Sequence, residues 1–84
     1  MDGDKLTKQK ARGDLASKLL DNATLTAAFD AVSKQIDHEF HQCLPHDTER
    51  LMALVSDHRA LKRVRQRLQN LVKAGKIAEG QLNR

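Results

Sequence analysis

Leu25, Phe29, Val32, Ile36, Phe40 and Cys43 step along the chain by 4, 3, 4, 4 and 3 residues. Only a helix turns that spacing into one continuous apolar stripe, because helical side chains three and four apart share a face whereas strand side chains alternate. Ala28 lies beside the stripe, and Asp30, Lys34, Asp37, His38 and His41 lie opposite it. Pro45 ends the helix, since the residue before a proline avoids the α region. A second stripe follows at helical spacing: Leu51, Leu54, Val55, His58, Leu61, Val64, Leu68, Leu71 and Val72. Asp47 is placed to cap it, Glu49 suits the positive helix N-terminus, and Gly75 suits a C-cap. Two striped helices joined across Pro45-His46 predict an antiparallel hairpin, Ala23 to Leu44 and Asp47 to Ala74, the second arm about 40 Å long.

A shorter helix, Leu6 to Leu20, precedes the hairpin. Its apolar residues are sparse, and Gly13 interrupts it at a cost of about 1 kcal/mol relative to alanine. Asp21-Asn22 ends it, and either Asn22 or Thr24 can cap the next helix. With no Trp or Tyr, two Phe and one Pro in 84 residues, the chain is poor strand material, and the expected fold is all-α with three helices in a single domain, 1–84. Residues 1–5 and 79–84 are expected to fray. The expected core is Leu25, Phe29, Val32, Ile36, Phe40, Leu51, Leu54, Leu61, Val64, Leu68 and Leu71. A chain this short buries only about 60% of its unfolded surface, so that core is thin. A protein partner or self-association, for instance as a homodimer, is expected to complete it.

Charge is unevenly distributed. The net charge is +4, yet between His58 and Ala78 seven basic residues and no acidic one occur: Arg59, Lys62, Arg63, Arg65, Arg67, Lys73 and Lys76. The remainder holds eight basic against eleven acidic residues and is net negative. One helix carrying seven positive side chains can neutralise several phosphates, which makes these seven the candidate nucleic-acid-binding residues. The chain lacks the aromatic residues that stack on bases and the short helix-turn-helix spacing of a major-groove reader. The plainer reading is a solvated or partner-facing side that pairs with Asp30, Asp37 and Glu39. A weaker basic run, Lys5, Lys8, Lys10 and Arg12, reads as a polar lead-in to the first helix.

His38, His41, Cys43 and His46 crowd nine residues and invite a metal reading. Cys43, however, falls on the apolar stripe with Ile36 and Phe40, while a structural zinc site needs four convergent ligands. The histidines are therefore read as a solvated face, and neither metal nor cofactor is expected. A catalytic Cys43 would need a base and an oxyanion hole, and buried helix cysteines are inert. The isolated glycines form no phosphate loop, so no enzyme is expected. A lone cysteine, the absence of an 18-residue apolar run and an N-terminus unlike a secretory leader suggest a cytoplasmic protein without a membrane span.

The order of features carries one resemblance. Leu19-Leu20-Asp21-Asn22-Ala23-Thr24-Leu25, then Ala28-Phe29 and Val32, a polar interval with Asp47-Thr48-Glu49-Arg50, then Leu61, Leu68 and a closing Gly75-Lys76-Ile77-Ala78 resemble small helical proteins of tailed bacteriophages and prophages. Residues 15–80 are covered. Such proteins often have an aromatic where this chain has His41-Gln42. The resemblance implies a phage-associated, non-enzymatic protein of a group often encoded among virion-morphogenesis genes, hence one in the bacterial host cytoplasm or virion-associated, and transfers no binding residues. The functional expectation is thus a small interaction protein that docks through its helices, in virion assembly for instance. The alternative is a DNA-associated accessory protein that grips phosphates through Arg59 to Lys76.

Overall fold

Asn22 is the one residue between the first two helices, and its conformation shows how so short a break works. The computed structural model describes residues 2–83 and contains three helices: α1 (Asp2–Asp21), α2 (Ala23–Gln42) and α3 (Thr48–Leu82). Asn22 is extended (φ −73°, ψ 114°), and its side-chain oxygen accepts from the Leu25 N–H at 2.9 Å. That contact satisfies an orphan donor of α2, as an N-cap should. The Thr26 hydroxyl donates back to the Leu20 carbonyl at 3.2 Å. Both ends of the break are therefore held by local polar contacts.

Between α2 and α3 the chain reverses in a tight turn. The Asp47 N–H donates to the Leu44 carbonyl at 3.0 Å, which closes a four-residue turn whose second position is Pro45, where a fixed φ favours turning. Asp47 then caps α3 by accepting from the Arg50 N–H at 3.2 Å.

The all-α fold and the antiparallel hairpin agree with the sequence reading, but the glycines have a different role. α3 does not stop at Gly75. It runs 35 residues, through Gly75 and the stretch expected to fray, to Leu82. Nor does Gly13 interrupt α1, which spans Asp2–Asp21 without a break. Both glycines are buried, and neither has the positive φ that a C-cap glycine supplies. They face each other instead: a Cβ built on Gly13 would lie 2.7 Å from the Gly75 Cα and 2.9 Å from the Leu71 carbonyl oxygen. Backbone rests on backbone at this crossing, and only a residue without a side chain allows that approach. Ala16 and Ala78, 2% and 0% exposed, continue the seam of small residues.

α1 and α2 lie one after the other along α3, both antiparallel to it. α1 covers the C-terminal half, with Gly13 against Gly75 and Leu19 and Leu20 near Gln69. α2 covers the N-terminal half, with Asp30 beside Arg65 and Phe40 near Leu54. The result is long and one helix layer deep, with principal extents of 57 × 25 × 14 Å and a radius of gyration of 17.8 Å, against about 12 Å for a compact domain of this length.

A single layer explains the second correction. Of the expected core, only Ile36 and Leu54 are buried. Leu25, Phe29, Leu51, Leu61, Leu68 and Leu71 are half-buried, and Val32, Phe40 and Val64 are exposed. Periodicity identifies the apolar side of each helix correctly, but no second layer covers the flanks of the stripe.

Candidate functional site

The layer leaves α2 and α3 with two open sides, and the residues lining each can be assigned from helical spacing. Asp30 and Asp37 are seven residues apart on α2, and His58 and Arg65 are seven apart on α3. Residues separated by two turns share a side, so the hollow formed by Phe29, Asp30, Arg65 and Gln69 opens on the same side as the groove of Ile36, Asp37, Phe40, Val55, His58 and Arg59. Phe40 and Val55 are 45% and 37% exposed in that groove. The opposite side has its own groove, lined by Val32, Gln35, Glu39, Asp57, Leu61 and Val64, where Val32 and Val64 are 46% and 49% exposed.

The two grooves have different charged rims. On the first side α2 presents Asp30 and Asp37, with Lys34 one turn from each, and α3 presents Arg59 and Arg65. On the second side both helices contribute a carboxylate, Glu39 from α2 and Asp57 from α3.

The candidate nucleic-acid residues are not a single cluster. Arg65 faces inward: its guanidinium donates to the Asp30 carboxylate at 2.8 Å and sits 5.1 Å from the Phe29 ring centroid. Both partners of the ion pair are about half exposed, so the pair orients Arg65 more than it stabilises the fold, contributing about 1 kcal/mol or less. Arg59, Lys62 and Arg63 gather with Gln66 around a shallow depression on the outer side of α3. Lys73 follows on that side about 21 Å along the helix from Arg59. Arg67 and Lys76 lie on its two flanks. Of Asp30, Asp37 and Glu39, the expected acidic partners, only Asp30 pairs with the basic stretch among the described residues.

The structure also assembles a basic patch that the sequence reading treated as a polar lead-in. Lys5, Lys8 and Arg12 step by three and four residues on α1 and surround a shallow depression with Asp4 and Gln9. Their spacing was the signal. Lys10 is separate from them and pairs with Asp14 at 3.5 Å.

His38 and His41 point away from α3 on the outer side of α2, and the Nδ1–H of His41 donates to the Asp37 carbonyl at 2.7 Å. Cys43 is half-buried at the end of α2, its Sγ 3.8 Å from the carbonyls of Leu44 and Asp47. Among the described residues no three His, Cys, Asp or Glu side chains converge as a metal site would require, and no helix is long and apolar enough to cross a membrane. What the arrangement offers chemically is surface: two apolar grooves with charged rims, and a basic outer strip. Comparison with protein families, curated proteins and solved structures finds no match to the chain.

Proposed function

We propose that this is a small non-enzymatic docking protein whose α2/α3 pair receives further helices on its open sides. One observation carries the reading. Val32, Phe40, Val55 and Val64 belong to the apolar stripes that form the hairpin, yet each is more than a third exposed, as expected of a layer that other helices complete. The resemblance to small phage and prophage proteins supplies a setting, the assembly of a virion from protein parts.

The test compares the size of the chain's complexes in an extract of its host with the size of the purified protein, by sedimentation. Val32→Lys with Val64→Lys should leave the melting temperature within a few degrees, since both side chains are half in water, while removing the heavier species. If no species heavier than the purified protein exists, or if it survives two charges in the groove that Val32 and Val64 line, the docking reading fails.

A second reading rests on Arg59, Lys62 and Arg63 gathering around one depression. Together with Lys73 they could contact about four phosphates, so affinity for a short duplex should fall with salt at a log–log slope of about −3.6. Arg63→Glu with Lys73→Glu should halve that slope at least. Arg65→Gln should leave it unchanged, because Arg65 is turned toward Asp30. No retention of duplex on a filter at about 50 mM salt, where phosphate contacts are strong, sinks this alternative.

A further inference from the structure

We propose that the side of the layer rimmed by Asp37 and Arg59 is covered by a second copy of this chain, related by a two-fold axis parallel to the helices, so that each α2 lies over the partner's α3. The inference rests on the docking reading and names the occupant of one of the two sides.

The first argument is area. The chain exposes 6803 Å², whereas a compact monomer of its 9.4 kDa mass exposes about 5,000 Å². The excess is about 1,800 Å², and a stable interface removes about 800 Å² from each partner. Covering one broad side is therefore enough for an ordinary dimer, and stacking two such layers makes a four-helix arrangement with a core between them.

The second argument is charge, and it selects both the side and the axis. On this side Asp30 is already paired with Arg65 of the same chain, which leaves Asp37 of α2 and Arg59 of α3 as the charges that border the groove without an ion-pair partner among the described residues. The antiparallel pairing sets Asp37 and Arg59 at nearly the same level, across the groove that Phe40 and Val55 line. A two-fold axis along the helices places each α2 edge over the partner's α3 edge, and Asp37 then meets the partner's Arg59 twice, once in each direction. An axis across the helices would stack α2 on α2 and set carboxylates against carboxylates. The opposite side cannot pair with itself as well, because Glu39 and Asp57 both border its groove and a two-fold would bring acid to acid in either orientation. That side stays open for a different partner, and Arg63, on the outer side of α3, stays in solvent.

Purified full-length chain at tens of micromolar, sized by light scattering, should run at twice the chain mass. Asp37→Arg and Arg59→Asp should each raise the dimer dissociation constant by about tenfold or more, the scale of like charges brought face to face. Mixed together, the two variants should recover the dimer. Asp37→Arg then meets the partner's Arg59→Asp, and the unaltered Asp37 meets the partner's unaltered Arg59. A chain carrying both substitutions should also dimerise by itself, which keeps the test decisive should one single variant fold poorly. Far-ultraviolet circular dichroism reports whether each variant is helical. A wild-type chain that stays monomeric overturns the proposal, as does a dimer whose dissociation constant ignores both swaps or a mixture that fails to recover it. None of these results touches the docking reading, whose test uses the opposite side and the host extract.

Discussion

Alanine at Gly13 or at Gly75 should destabilise the protein, although alanine is the better helix former by about 1 kcal/mol. The new Cβ on Gly13 would meet the Gly75 Cα at 2.7 Å and the Leu71 carbonyl oxygen at 2.9 Å. On Gly75 it would meet the Gly13 Cα at 2.8 Å and the Gln9 carbonyl oxygen at 3.2 Å. These are backbone atoms, which cannot rotate aside as a flexible side chain does. α1 and α3 must move apart, and separation at the crossing loosens Ala16 and Ala78 along the same seam. Overpacking of this kind costs about 1–3 kcal/mol after the gain in helix propensity is offset, and each kcal/mol lowers the melting temperature of a domain this size by about 4–8 °C. Leucine at either position should be worse and detach α1 altogether. Gly80 is the internal control. A Cβ at Gly80 would have no neighbour within 4 Å, so Gly80→Ala should hold or raise the melting temperature. Thermal melts of the three alanine variants by circular dichroism check this, and a shift of the same sign in all three would rule out the backbone contact.

The glycine seam was not legible in the sequence, for a physical reason. A glycine in a helix carries a local cost that can be read from one residue, whereas its compensation comes from a contact 62 positions away, and Gly75 alone resembles a stop. The caps were legible because they are local: Asn22 and Asp47 satisfy donors three residues on, within the reach of a single turn. The α2 stripe was legible because period fixes which side is apolar. How completely that side is covered depends on the number of layers, and periodicity contains no such information, so Val32, Phe40 and Val64 were placed too deep. The basic stretch was half legible. Charge counting gathers seven residues, but Arg65 stands four positions from Leu61 and seven from His58, and that spacing already removes it from the outer side to the groove where Asp30 meets it. The groove rims themselves, Asp37 opposite Arg59 on one side and Glu39 opposite Asp57 on the other, needed the register of the hairpin before they had any meaning.

The same register makes Leu54→Ala the most damaging change at the other end of the molecule. α1 is fastened to α3 by close backbone approach, whereas α2 is fastened by side chains, and of these only Ile36 and Leu54 are buried, at 7% and 4% exposure. The Asp30–Arg65 pair adds little, being half in water. Truncating a buried leucine costs about 2–5 kcal/mol. Here the cost should fall at the lower end, about 2–3 kcal/mol, because the grooves on both sides let water reach the site and no sealed cavity is left behind. A loss of that size exceeds what the remaining half-buried contacts of α2 can absorb, and α2 should come away from α3 while the glycine seam still holds α1. The unfolding of this variant should therefore cease to be two-state, with a low-temperature phase in which α2 amides exchange rapidly and α1 amides near Gly13 stay protected. Met52→Ala, at a neighbouring position 71% exposed, should change stability by about 0.5 kcal/mol or less. Leu54 and Gly75 are about 31 Å apart along α3, so combining Leu54→Ala with Gly75→Ala should add their costs within about 0.5 kcal/mol. Amide exchange followed by nuclear magnetic resonance separates the two ends directly, and equal loss of protection in α1 and α2 of the Leu54 variant would show instead that the layer unfolds as one unit.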